Sequence, residues 1–104
     1  MIEILRACQK ELEDWPEDVR GDLADALARL EEGHTLSMPL SRPMQSIGKG
    51  VHELRLRDRS GNYRVIYVII KKEEIVLLHA FKKKSGKTPK RNIEVARKRL
   101  QEFK

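Results

Sequence analysis

A single cysteine, Cys8, stands among 104 residues, so the chain has no internal disulfide and no cysteine spacing that suits a metal. Cys8 is expected to serve as a small apolar residue on a helix face. Nowhere do apolar residues run for the roughly 18 to 20 positions a bilayer-spanning helix needs. The opening MIEILRACQKELEDW carries acids where a secretory signal would have a basic region and then an apolar one. No membrane association is expected, and a cytoplasmic location is. The patterns G-x-x-x-x-G-K-S/T, G-x-G-x-x-G, G-x-S-x-G and H-E-x-x-H are all missing, which leaves nucleotide-binding, Rossmann, hydrolase-elbow and zincin readings without support. His34, His52 and His79 are far apart and no carboxylate cluster accompanies them. Neither a metal nor an organic cofactor is therefore expected. Repeats, low-complexity tracts and linkers are absent too, and the length suits one domain spanning residues 1–104.

What the chain has in abundance is charge, unevenly placed. Hydrophobic residues make up 39% and charged residues 37%, with a net charge of +6, as in a soluble globular domain with a heavily charged surface. Residues 1–33 hold ten acids against four bases, whereas residues 82–104 hold ten bases against Glu94 and Glu102. A basic surface attracts nucleic acid by neutralising phosphates and releasing counterions, which gives affinity without sequence choice. A solvated helix face has the same composition, but here the basic segment adjoins a predicted sheet.

Leu5, Cys8, Leu12 and Trp15 recur at three- and four-residue steps, predicting an amphipathic helix stopped by Pro16. Ile2 to Leu5 reads equally as a short strand or as the start of that helix. Val19, Leu23, Ala26, Leu27 and Leu30 share one face of a second helix with an acidic first turn and Gly33 at its end. Residues 34–50, with Pro39, Pro43, Gly48 and Gly50, read as a surface connection. VHELRLR alternates, with Leu54 and Leu56 on one face and Glu53, Arg55 and Arg57 on the other. YRVIYVII is apolar on nearly both faces and predicts a central strand, followed by IVLLHAF in an antiparallel meander with loops at 58–62 and 71–74. After the basic loop Lys82 to Lys87, Thr88 and Pro89 predict a helix start with a hydroxyl cap, and Ile93, Ala96, Leu100 and Phe103 its buried stripe. The expected architecture is α+β: an N-terminal helical hairpin packed on a small antiparallel sheet, with a basic C-terminal helix.

The residues with chemical potential are cations: Arg55, Arg57 and Arg64 on the strands, and Lys82, Lys83, Lys84 and Lys87 beyond them. Such a set can assist a metal-free cleavage of RNA. The 2′-hydroxyl attacks its neighbouring phosphate, fixed cations neutralise the charge that builds on the equatorial oxygens, and a proton passes to the leaving 5′-oxygen. DNA lacks that hydroxyl. Plainer roles exist for each. Arg64 interrupts an apolar strand and either pairs with Glu53 on the neighbouring strand or snorkels at the strand's start. Arg55 on a sheet face is ordinary, and Lys82 to Lys84 suit a solubilising loop. His79 reads as a satisfied imidazole or a proton donor, and Tyr63 and Tyr67 as sheet packing rather than base-stacking platforms.

The ordered set ELR, YRV-x-Y, LLHAFKKK and KTP resembles the RelE/HigB superfamily of toxin–antitoxin ribonucleases, in particular its phage-derived Gp49-like branch, over roughly Leu12 to Leu100. The resemblance implies a RelE-like fold and a toxin that cuts mRNA, typically in the ribosomal decoding site, without a cofactor. It also implies a cognate antitoxin, of the helix-turn-helix, HigA-like kind usual for HigB relatives. By carry-over, Arg55 and Arg64 match the strand cations that grip and polarise the phosphate. Lys83 falls where a transition-state-stabilising base follows the last core strand, with Arg57, Lys82, Lys84 and Lys87 as RNA-binding residues and His79 as the candidate for proton transfer. Three departures stand out: Glu53 occupies a position where some relatives have lysine, no tyrosine follows Tyr67, and the fold's first strand is short or missing in MIEIL. The alternative on the same fold is a non-catalytic module, a ParE-like gyrase inhibitor or a degenerate toxin.

Overall fold

The structure is a computed structural model that describes residues 1–71, 74–83 and 87–103. The N-terminal segment divides at Leu5: Ile2–Ile4 is strand β1, and Arg6–Leu12 is helix α1. Pro16 then fixes the entry to α2, Glu17–Glu31, where its carbonyl accepts the Arg20 N–H at 3.0 Å and Glu17 and Asp18 meet the positive end of the helix dipole. Gly33, at φ 88°, lets the chain turn out of α2.

The segment 34–50, expected to wander over the surface, instead buries Leu36, Met44 and Ile47 and contributes a strand, β2, Ser41–Pro43. Gly50 ends it at φ 79°, with the Ile69 carbonyl 2.7 Å from where a Cβ would lie, so only glycine fits this entry into the sheet. The three predicted strands follow as β3, Val51–Asp58, β4, Gly61–Lys71, and β5, Glu74–Lys83. The β3–β4 turn is tighter than expected because Asp58 and Gly61 already pair, and Asp58 accepts the Ser60 N–H and hydroxyl at 2.7 Å each.

The sheet thus has five strands in the order β1-β5-β4-β3-β2 rather than the three of an antiparallel meander. β4 is central as predicted, and β1 lies parallel to β5. The two added strands are edges of three residues, too short to show a period. Helices α1 and α2 cover one face with Cys8, Leu12, Trp15, Val19, Leu23, Ala26 and Leu30 against Leu54, Leu56, Val65, Tyr67 and Leu77. Helix α3, Lys90–Phe103, covers part of the other with Ala96 and Leu100 against Ile66, Val68, Val76 and Leu78. Helix α3 begins at Lys90, just beyond the expected Thr88-Pro89 start, and the Thr88 hydroxyl donates to the Glu53 carboxylate. Among the described residues no helix is long and apolar enough to cross a membrane.

Candidate functional site

Alternation along β3 sends Glu53, Arg55 and Arg57 to the α3 face, opposite Leu54 and Leu56 on the hairpin face. On β4, Arg64 takes that same α3 face between Tyr63 and Val65, and register sets it directly opposite Arg55. Two like charges facing each other across strands repel. Glu53 lies between them with no exposed surface, its Oε1 at 3.5 Å from Arg55 Nε and 3.8 Å from Arg64 Nε. Of the alternatives open for Arg64, pairing with Glu53 is thus realised. Arg42, opposite Glu53 on β2, adds a further cation.

Lys83 reaches this face through a register shift. On β5, Ile75 and Leu77 point to the helical hairpin, and strict alternation would send residues 79, 81 and 83 the same way. Between the pairs Tyr67–Leu77 and Ile66–His79 one extra residue, Leu78, is inserted, and a one-residue shift moves every later side chain to the opposite face. Phe81 therefore packs in the α3 core and Lys83 joins Arg64, while Lys82 points the other way with its ammonium 5.5 Å from the centre of the Tyr63 ring. Lys83 is only 5% exposed. Its pKa is lowered below the usual lysine range by burial and by the neighbouring Arg64, Arg55 and Arg42, with Glu53 pulling the other way.

Arg64 is 9% exposed. Its Nη1 donates to the Tyr63 carbonyl at 3.2 Å, but its buried Nε–H has no hydrogen-bond acceptor among the described residues. Burial, partly offset by Glu53, also lowers its pKa. Beside it opens a pocket of about 370 Å³ lined by Pro39, Leu40, Arg55, Leu56, Arg57, Asn62 and Arg64. Guanidinium forks and an apolar wall side by side suit a phosphate with an attached base.

The remaining sequence candidates lie apart. Lys87 is exposed ahead of α3, and Lys84 falls outside the described residues. His79 faces α3, with Nε2 at 2.7 Å from Asn92 Oδ1 and Nδ1 at 3.1 Å from both Glu11 oxygens. Arg99 clamps the same carboxylate at 2.9 and 3.0 Å. Burial alone would raise the Glu11 carboxyl, but hydrogen bonds from His79, Arg99 and the Ala80 N–H hold it at about 2. Tyr63 packs on Trp15 and Tyr67 bonds Ser41, so both are packing residues. Arg42 and Thr88 were not legible as part of this site: Arg42 sits in a segment read as loop, and Thr88 carries the signature of a helix cap. Among the described residues no three of His, Cys, Asp and Glu converge to hold a metal ion.

Fold and site describe a small α+β protein with a cationic cluster on one face of its sheet. A family model described as phage derived protein Gp49-like matches residues 10–101, and the chain belongs to that family, a family of RelE-like toxins in the RelE/ParE superfamily. A solved structure of the E. coli toxin RelE, a double-arginine mutant in the free state, is similar at 20% identity with a TM-score of 0.47, over 79% of this chain and 81% of that one. No curated protein matches the chain.

Proposed function

We propose that this protein, as a single toxin domain over residues 1–104, is a metal-independent endoribonuclease of HigB type that cleaves mRNA on the ribosome and so stops translation. The observation that carries the reading is the convergence of Arg55, Arg64 and the buried Lys83 on one face of the sheet beside an open pocket. Cations crowded on one face repel one another, and a bound phosphate relieves that repulsion. Arg55 and Arg64 hold the scissile phosphate and neutralise its developing charge as the 2′-hydroxyl attacks. Lys83, its ammonium made more acidic by burial and neighbouring cations, stabilises the transition state and is poised to release a proton to the leaving 5′-oxygen, while the proton of the attacking 2′-hydroxyl passes to solvent and Lys83 regains one from water. His79 has both ring nitrogens committed, so in this reading it holds α1, β5 and α3 together and proton transfer falls to Lys83. Arg57, Lys82, Lys84 and Lys87 add phosphate contacts. The family implies an antitoxin partner; we take it to be a helix-turn-helix, HigA-like protein that covers this cationic face, and we place the toxin in the cytoplasm, where its ribosomal substrate is.

The test is induction in bacterial cells of the wild type beside Arg64→Ala and Lys83→Ala, with growth followed and new mRNA 5′ ends mapped. Growth arrest with in-frame cuts, both lost in each variant, is the expected outcome. Arrest with intact mRNA, unaffected by the substitutions, would instead identify a ParE-like gyrase inhibitor or another protein-binding module.

A further inference from the structure

The Arg55–Arg64 pairing raises the question of what keeps two facing guanidiniums together before a phosphate arrives. Glu53 does so from a buried position. A carboxylate out of water is tolerated only when its charge and lone pairs are satisfied. Here Oε1 faces the Nε of both arginines at 3.5 and 3.8 Å, and Oε2 accepts the Thr88 hydroxyl. The strand supplies this at minimal separation, since residue 53 lies on the same face as residue 55 and one step diagonal to residue 64. Glu53 also opposes function in one respect, because a negative charge beside a phosphate site weakens binding of RNA. Its buried place between the two arginines, held by Thr88, gives that carboxylate a role in geometry.

We propose that Glu53 is a positioning residue of the site: it fixes Arg55 and Arg64 by their Nε edges, is itself fixed by Thr88, and leaves the remaining guanidinium donors for the phosphate. This rests on the ribonuclease reading above. With no exposed surface and both oxygens occupied, Glu53 does not reach a substrate hydroxyl, so it acts through the arginines and not as the base. Thr88 ties the entrance of α3 to the same carboxylate, which makes the approach to that helix part of the site's support. Lys83 is held in the same field, facing Arg64 on β4, Arg55 and Glu53 on β3 and Arg42 on β2.

The experiment compares purified wild type, Glu53→Gln and Thr88→Val in two assays: single-turnover cleavage of ribosome-bound mRNA, and anisotropy binding of a fluorescent RNA oligonucleotide with 2′-deoxy substitution at the cut. Glu53→Gln is expected to bind as tightly as wild type or up to about 10-fold tighter, having lost a repulsive charge, yet to cleave at least about 30-fold more slowly. Its cleavage should also fall off at lower pH than in wild type, because Lys83 loses the one anion that supports its charge. Thr88→Val should cleave about 3- to 10-fold more slowly with binding unchanged. A folded Glu53→Gln that cleaves at the wild-type rate overturns the proposal, as does parallel loss of binding and cleavage in a variant with a lowered melting temperature and an unshifted pH profile. If Glu53→Gln does not fold, Thr88→Val decides, and wild-type cleavage by it overturns the proposal. A wild type that cleaves nothing removes the ribonuclease reading itself, and is distinguished by failing before any variant is compared.

Discussion

Lys82 and Lys83 are neighbours in the chain and lie on opposite faces of the sheet. Lys82 rests over the Tyr63 ring on the helical-hairpin side, and Lys83 is buried beside Arg64 on the other. Their substitutions should separate accordingly. Lys83→Ala is expected to lower the cleavage rate about 100-fold or more, the size of effect seen when one transition-state donor is lost. Lys82→Ala should cost less than about 5-fold, chiefly in RNA affinity, together with about 0.5–1 kcal/mol of stability from the lost cation–π contact. Equal losses in a single-turnover assay would contradict this placement. The contrast also shows what the residues disclosed and what they hid. Arg55 and Arg64 were legible because one alternates with Leu54 and Leu56 and the other interrupts an apolar strand. Lys83 was legible only by resemblance, since its side depends on the extra residue at Leu78, which leaves no mark in an apolar run. Glu53 read both as a partner for Arg64 and as a thinning of the cationic strip, and it lies buried between Arg55 and Arg64.

Elements follow the same logic of period and length. The two longer helices and three long strands carry enough turns or alternations to be read from the chain, whereas β1 and β2, at three residues each, do not. What joins the elements is polar as well as apolar, and the Glu11 network is the main case. Glu11 of α1 receives His79 and the Ala80 N–H from β5 and Arg99 from α3, tying both helical layers to one strand. Glu11→Gln should lower the unfolding free energy at neutral pH by about 1–2 kcal/mol, between the values typical of exposed and of buried ion pairs. The sign of its pH dependence follows from the depressed carboxyl. Because the folded group titrates at about 2, below its ordinary 4.5, its stabilisation is complete above the ordinary value and is lost as pH falls toward about 2. Denaturant unfolding at pH 7 and pH 3 should therefore show the gap between wild type and Glu11→Gln narrowing in acid. A gap of constant size would contradict a charged Glu11 as the fastener.

For the molecule as a whole, the sheet separates two electrostatic characters. The helical hairpin presents most of the chain's acids, while α3 and the strand cations make the other side basic. The Cα radius of gyration, 12.5 Å, is close to the roughly 13 Å of a packed chain of this length, so the two characters sit within one short span. RNA should then approach from the basic side, and its affinity should fall with salt. With about four phosphates neutralised, a slope of log affinity against log salt near −3 is expected for a single strand; a slope near zero would exclude a phosphate-gripping surface. The most direct measurement concerns the reaction itself. Purified protein is mixed with ribosomes carrying an mRNA cleaved by the wild type, and with the same mRNA bearing a single 2′-deoxy nucleotide at the cut. The expected result is cleavage of the first, leaving a 2′,3′-cyclic phosphate end, and none of the second at that position. Equal cleavage of both, or of neither, would contradict a site in which Arg55, Arg64 and Lys83 assist attack by the RNA's own hydroxyl.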